Sequence, residues 1–356
     1  MMLPFNKVIK DKIGKFPIGV WVPYYKEDLS ADYLSAMREC GINFVPSITC
    51  GKDELKLISD AGMKILVNDD RLTYCNVTGI VNVRKWIAEY IDEKDVIGVF
   101  VWDEPSPTMM RICGAINKTL QEYYPNTFGF TNLHPDYSDK KEQRDGRSYE
   151  EYLDFFLKNC EPKVVCYDNY PFFRDGFHSG SFFSNMAAIA ACAKKNRSPF
   201  WTFIQSSSFG DNVRPNEAQL KFQVYASLAY GAQGILYFTY KEVTHEKNFG
   251  AGFIDKFGNR TEIYDYATEI NKKIQSFGDK LLASEHKGVS GTGDYEFITD
   301  TDKIPYFGEN IVAGLFDGED GEYCFVVNGD FTKGTTIRYK GSEIVLSAGD
   351  GVLIKL

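Results

Sequence analysis

At 356 residues the chain exceeds one average domain, and a chain of this size buries roughly 75% of its unfolded surface without help from disulfides or a metal. Its 44% hydrophobic and 25% charged residues, with a mean hydropathy of −0.29, are those of a soluble globular protein and exclude disordered, collagen-like and coiled-coil classes. A net charge of −9 with no Lys/Arg block argues against nucleic acid or an anionic membrane as partner, and no stretch approaches the ~20 apolar residues of a membrane span.

In chain order, short apolar runs alternate with longer segments of helical spacing. The predicted strands are 17–24, 42–48, 63–69, 96–104, 128–134, 163–172, 199–207 and 234–241. The predicted helices between them include ADYLSAMREC and KDELKLISDA, which stop at Gly41 and Gly62, both plausible C′ glycines. VNVRKWIAEYIDEKD, MMRICGAINKTLQEYYP, SYEEYLDFFLKNC, FSNMAAIAACAKKN, NEAQLKFQVYASLAYGA and TEIYDYATEINKKIQSFG complete the series.

Near-continuous apolar strands imply a parallel sheet covered on both faces. The count of eight and the absence of GxGxxG after the first strand favour a closed (β/α)8 barrel over a doubly wound sheet. From about Glu285 the pattern changes to short strands and turns, without helices. The expected organisation is therefore a barrel over 1–285 and a small C-terminal β-sandwich-like domain over 286–356.

The N-terminus MMLPFNKVIKDKIGKF carries no apolar run of signal-peptide length, so the expected location is cytoplasmic, or secreted with a leader removed. The 8 Cys are scattered without CxxC and read as buried reduced thiols. The 4 His form no HxH or HExxH, so neither a metal nor another cofactor is expected. Oligomeric state is not legible.

In such a barrel, chemistry sits at the C-terminal ends of the strands. Those ends supply Trp21 and Tyr24, then Asp69, then Trp102, Asp103 and Glu104. The later strands add Asn132 and His134, then Asp168, Asn169 and Tyr170, then Trp201 and Gln205, and finally Tyr240 and Lys241. Carboxylates, amides and aromatics at one mouth suit a carbohydrate. Ring faces stack on pyranose C–H faces, amides and acids hold hydroxyls, and two carboxyl groups can cleave a glycosidic bond.

Each residue has a plainer role to set beside this one. WDEP can be a helix N-terminus capped by Asp103, Asp168 can close an Asx turn, Asp69 can be salt-bridged, and the aromatics can be core. A Schiff-base or metal-dependent barrel is disfavoured. Lys64 and Lys163 lie near strand starts, and Lys241 would need desolvation.

WDEP on the fourth strand, DNYPF on the sixth, FWTFIQ on the seventh and RPNEAQLKFQVYASLAYGAQGILYFTY through the eighth resemble the (β/α)8 glycoside hydrolases. The resemblance is greatest to the β-galactosidase-like clan A, with its family-42 relatives and bacterial cousins, and it covers roughly residues 17–285. It implies Glu104 as general acid/base. Two departures stand out. Asp103 occupies the place of the clan's Asn, and the seventh strand ends in Gln205 and serines where the clan carries a nucleophilic Glu.

Three mechanisms remain open. Asp168 can be the second carboxylate, inverting at a separation of about 6.5–9.5 Å or retaining at about 5–5.5 Å. Asp103–Glu104 can act with substrate assistance on an N-acetylhexosaminide, as in the family-20 hexosaminidases. Alternatively the barrel only binds carbohydrate. In each case the expected partner is an oligosaccharide or glycoside.

Overall fold

The computed structural model describes residues 4–22, 28–48, 51–73, 79–293 and 303–356. Eight parallel strands close into a barrel: β1 (Ile18–Val20), β2 (Phe44–Ile48), β3 (Lys64–Asn68), β4 (Val96–Asp103), β5 (Phe128–Leu133), β6 (Val165–Tyr167), β9 (Phe200–Gln205) and β10 (Ile235–Phe238). A small hairpin, β7 (Phe172–Phe173) with β8 (Gly176–Phe177), follows β6. Closure comes from β1 pairing with β10, Ile18 opposite Ile235. The expected (β/α)8 class with an all-β C-terminal part is the observed one, and all eight predicted strands are present.

Alternation along each strand separates two cores. In β4, Phe100 points inward between Val99 and Val101, which face the helices, and a register irregularity at 96–98 turns Ile97 inward as well. The interior is filled by Phe44, Leu66, Phe128, Phe130, Trp201, Phe203 and Leu236. Trp201 fits because Gly234 has no side chain: a Cβ there would lie 2.7 Å from the indole.

A helix not anticipated from sequence, α1 (Pro4–Ile13), closes the base. Its Ile9 and Ile13 join the interior cluster, and Lys12 Nζ donates to the carbonyl of Val96 at 3.3 Å. Its apolar spacing is short and diluted by lysines, so the charge outweighs the periodicity.

The outer ring comprises α2 (Ala31–Glu39), α3 (Lys52–Asp60), the single turn α4 (Asp70–Thr73), α5 (Val83–Ile87), α6 (Pro107–Tyr123), α7 (Tyr149–Cys160), α8 (Ser179–Asn196), α9 (Glu217–Ala229) and α10 (Glu262–Ala283). Gly41 and Gly62 take φ of +87° and +73° just beyond α2 and α3, as their stop positions require. Reciprocal capping boxes start α7 (Ser148 with Glu151) and α9 (Asn216 with Gln219). The fifth helix is shorter than predicted, because after Ile87 the chain continues as turns that bury Tyr90 and Ile91.

After α10 a four-stranded antiparallel sheet forms in the order β11 (Glu285–Gly291), β12 (Ile311–Gly318), β13 (Gly321–Asn328), β16 (Gly351–Lys355). A hairpin, β14 (Thr335–Tyr339) with β15 (Ser342–Leu346), lies beside it. β11 escaped prediction because EHKGVSG lacks a clean alternation. One face of the sheet packs on α9 and α10, with Phe325 against Tyr225 and Phe277. Phe307, Cys324, Ile337, Leu346 and Ile354 form a separate small core on the other side. Among the described residues no helix is long and apolar enough to cross a membrane, and the six described cysteines are buried free thiols.

Candidate active site

The fourth strand delivers two acids in sequence by turning sharply at its end. Asp103 closes β4, and Glu104 takes a left-handed backbone, φ +48°, which costs a non-glycine residue on the order of 1–3 kcal/mol. The turn keeps its ladder bond, since Glu104 N–H donates to the Asn132 carbonyl at 2.8 Å. Helix α6 begins only at Pro107, with Ser106 at its N-cap, so Asp103 is not a helix cap. Glu104 is 38% exposed, and its Oε1 lies 3.2 Å from His134 Nδ1. His134 is itself held through its backbone: its carbonyl accepts from Tyr149 at 2.9 Å, and its N–H donates to the Tyr152 hydroxyl at 3.4 Å.

Asn132, on β5, joins the fourth and sixth strands. Its amide nitrogen donates to Asp103 Oδ1 at 3.1 Å and to Asp168 Oδ1 at 2.8 Å, so these two oxygens are no more than about 6 Å apart. Burial pushes Asp168 well up from the ordinary carboxyl range, and the charges of Glu104 and Asp103 add to this against the opposing Asn132 bond. Asp103 rises to about 6, again mainly through desolvation and then through Glu104. Protein surrounds the Asp103 carboxyl on most sides, yet solvent still reaches it through the mouth. The Asx-turn role considered for Asp168 is not what its side chain does; its carboxylate meets Asn132.

Aromatic groups wall the mouth. Trp21 is half-buried, edge-on to Phe100 at 5.3 Å and to Phe203 at 6.1 Å. Tyr170 packs against Phe209 and Phe238. Tyr137, in the loop after β5, was not singled out from sequence. The residue is half-exposed, but its hydroxyl lies inward, where burial and then the charge of Asp168 raise its pKa against an opposing bond to the Tyr170 backbone. Its neighbour Asp136 is fixed by Ser181 (2.7 Å) and Ser184 (2.8 Å). The available signal was one aromatic in a polar loop, which has no periodicity to mark it.

Other predicted ligands lie elsewhere or are engaged. Trp201 is fully buried in the barrel interior, below the mouth, where it packs on Phe44, Phe128 and Phe130. Trp102 is half-buried against the larger cluster between strands and helices. Asp69 is buried and gripped by Arg71, with Nε and Nη2 each 2.8 Å from one of its oxygens, so its mouth position serves a salt bridge.

Asn169 donates to Asn185 Oδ1 at 3.0 Å and to Ser181, tying the sixth-strand loop to α8. Gln205 is wholly buried, and its amide grips the backbone of Phe172 and Val213 rather than opening to the mouth. Tyr240 and Lys241 line a different cavity of about 330 Å³ with Asp28, Tyr33 and Arg260; Lys241 Nζ lies 2.6 Å from Asp28 Oδ2. None of Asp103, Glu104 or Asp168 lines that cavity. Tyr24 lies outside the described residues. Among the described residues no group of three or more His, Cys, Asp or Glu side chains could hold a metal ion.

Comparison with known proteins agrees with the barrel fold. Residues 106–277 match the family model described as Glyco_hydro_42, β-galactosidase. The β-galactosidase of the psychrophilic Marinomonas ef1 superposes with a TM-score of 0.58 at 11% identity, over 76% of this chain and 62% of its own. This chain thus spans less than two thirds of that relative. A family 39 glycoside hydrolase from Bacteroides cellulosilyticus WH2 gives 0.57 at 9% identity, over 96% and 81% of the two chains. A protein described as a putative α-L-fucosidase, from Bacteroides thetaiotaomicron VPI-5482, gives 0.51 at 11% over 73% and 97%. No curated protein matches. The resemblance to the β-galactosidase-like (β/α)8 glycoside hydrolases is borne out, with a family match that runs from the start of α6 into α10.

Proposed function

We propose that this chain, similar over residues 106–277 to the β-galactosidase family of glycoside hydrolases, cleaves a glycosidic bond with Glu104 as proton donor and Asp168 as the second carboxylate. The observation that carries the reading is the Asn132 amide bridging Asp103 and Asp168 at the C-terminal mouth of β4–β6, with Glu104 beside them on His134 and its charge acting on Asp168. Glu104 is solvent-accessible and lies beside His134, so it can reach a leaving-group oxygen. Asp168 then activates water or attacks the anomeric carbon from the sixth strand. Half-exposed Trp21 and exposed Tyr137 offer ring faces for a sugar. The seventh strand supplies no acid: Gln205 is locked into backbone bonds, which supports a pair drawn from the fourth and sixth strands.

One observation favours an exchange of roles. Burial and the neighbouring acids raise Asp168 well above the ordinary carboxyl range, the direction a proton donor needs, which would leave Glu104 as base or nucleophile. Aryl glycosides with good and poor leaving groups separate the assignments. The variant lacking the proton donor keeps most of its turnover on a 2,4-dinitrophenyl glycoside and loses it on poor leaving groups. The variant lacking the partner loses both. Glu104→Gln should show the first pattern, with losses of roughly 10²–10⁴-fold on poor leaving groups, and Asp168→Asn the second. Unchanged turnover in Glu104→Gln would remove Glu104 from the mechanism. Activity confined to N-acetylhexosaminides and abolished in Asp103→Asn would favour substrate assistance.

A further inference from the structure

The segment that follows β6 and begins with Asp168 is held from two directions besides the tie of Asn169 to α8. From the barrel, Gln205 Oε1 accepts from Phe172 N–H at 3.0 Å, and its Nε2 donates to the Phe172 carbonyl at 3.0 Å and the Val213 carbonyl at 2.7 Å. Asn212 Nδ2 adds a bond to the Tyr170 carbonyl at 2.9 Å.

The other direction is the C-terminal sheet. Phe331, in the turn after β13, places its ring 5.4 Å from Phe172, 5.3 Å from Phe177 and 5.3 Å from Phe222 of α9. The two contacts to the β7–β8 hairpin are edge-to-face, the geometry that aromatic pairs favour. The turn presenting Phe331 is itself rigid. Asn328 Nδ2 donates to the Lys333 and Ser347 carbonyls at 2.9 Å each. Asp330 Oδ1 accepts from Thr332 N–H at 2.8 Å, and the Asp330 carbonyl accepts from Gly349 N–H at 3.0 Å.

We propose that Phe331 is a positioning residue for Asp168: the C-terminal sheet pins the Asp168–Phe177 segment through this one ring and so forms part of the catalytic centre. Sheet attachment alone does not require the contact, since the sheet already packs on α9 and α10 through Phe325. What Phe331 adds is contact with the hairpin only four residues beyond Asp168. A carboxyl group misplaced by about 1 Å can cost 10²-fold in rate, so partial slack there should register strongly in turnover. The inference rests on the proposed function only in assigning Asp168 a part in the reaction.

The test compares full-length Phe331→Ala and Phe331→Leu with Ile337→Ala, a truncation in the small core remote from the hairpin. Phe331→Ala should lower kcat about tenfold with KM within about twofold, and Phe331→Leu should restore most of it. The pH limb belonging to Asp168 should move to lower pH, because loosening the segment admits water and relieves the desolvation that raises it. Ile337→Ala should lose comparable thermal stability while leaving kcat and that limb in place.

Equal effects from Ile337→Ala and Phe331→Ala, or an unaltered kcat and profile in Phe331→Ala, would overturn the proposal. Should Phe331→Ala fail to fold, Phe331→Leu is read against Ile337→Ala in the same way. Amide hydrogen exchange separates this inference from the function beneath it. Faster exchange over 168–177 in the Phe331 variants alone supports the pin even if Asp168→Asn leaves hydrolysis intact, and unchanged exchange refutes it.

Discussion

Replacing Asp103 by Asn should stabilise the protein near neutral pH, a prediction that needs no substrate. In the folded chain this carboxyl is raised from 3.8 to about 6 by burial and by Glu104. The folded state therefore holds a proton that the unfolded state releases between about pH 4 and pH 6, and stability falls as pH rises through that window. Full linkage over such a shift would amount to about 3 kcal/mol. Because solvent reaches Asp103 through the mouth, screening reduces the expected effect to about 1 kcal/mol. Asparagine keeps an oxygen to accept the Asn132 bond and removes the charge, so the variant should lose this part of the decline and unfold about 2 °C higher at pH 7. It should also let the Asp168 carboxyl fall toward the ordinary range, since the Asp103 charge is among the causes raising it. Thermal unfolding of both proteins at half-unit steps from pH 4 to 7 is the assay. Parallel pH profiles, or a variant less stable at pH 7, would refute the account of the clustered acids.

Two further outcomes test the frame around the site. Gly234→Ala sets a methyl 2.7 Å from the Trp201 indole in a filled interior and should cost about 1–3 kcal/mol, visible as a lower denaturation midpoint with little change in m. Asp69→Asn removes the buried carboxylate that Arg71 grips and, since Arg71 stays solvated and paired with Glu89, should cost about 1–2 kcal/mol in chemical denaturation. If Asp69 is structural, KM should stay within about twofold; a large rise in KM with full stability would restore it as a substrate ligand.

The barrel was legible because its strands are continuous apolar runs, such as VIGVFVWD and FWTFIQ, whose spacing leaves few other architectures. The three acids were legible for a related reason: strand ends define a mouth, and acids at those ends must face it or bury a charge. Side-chain partners were not. Whether Asp69 meets a sugar or Arg71 is decided by α4, a single turn without periodicity. Gln205 and Asn169 read as free amides until the folded loops bring Phe172, Val213, Ser181 and Asn185 against them. Asn132 was expected as a ligand, but its bridge between two acids depends on cross-strand register, which a linear pattern does not carry. Trp201 was misplaced in height rather than in kind, since alternation sets the face of a residue but not its layer.

The brace at Gln205 also closes off an evolutionary shortcut. A one-letter edit to glutamate would write the textual signature of a retaining clan enzyme at the right strand, but the new side chain would inherit a seat facing two peptide oxygens. Ionised, it would set like against like inside a dry wall and dislodge the hairpin before it could meet a sugar.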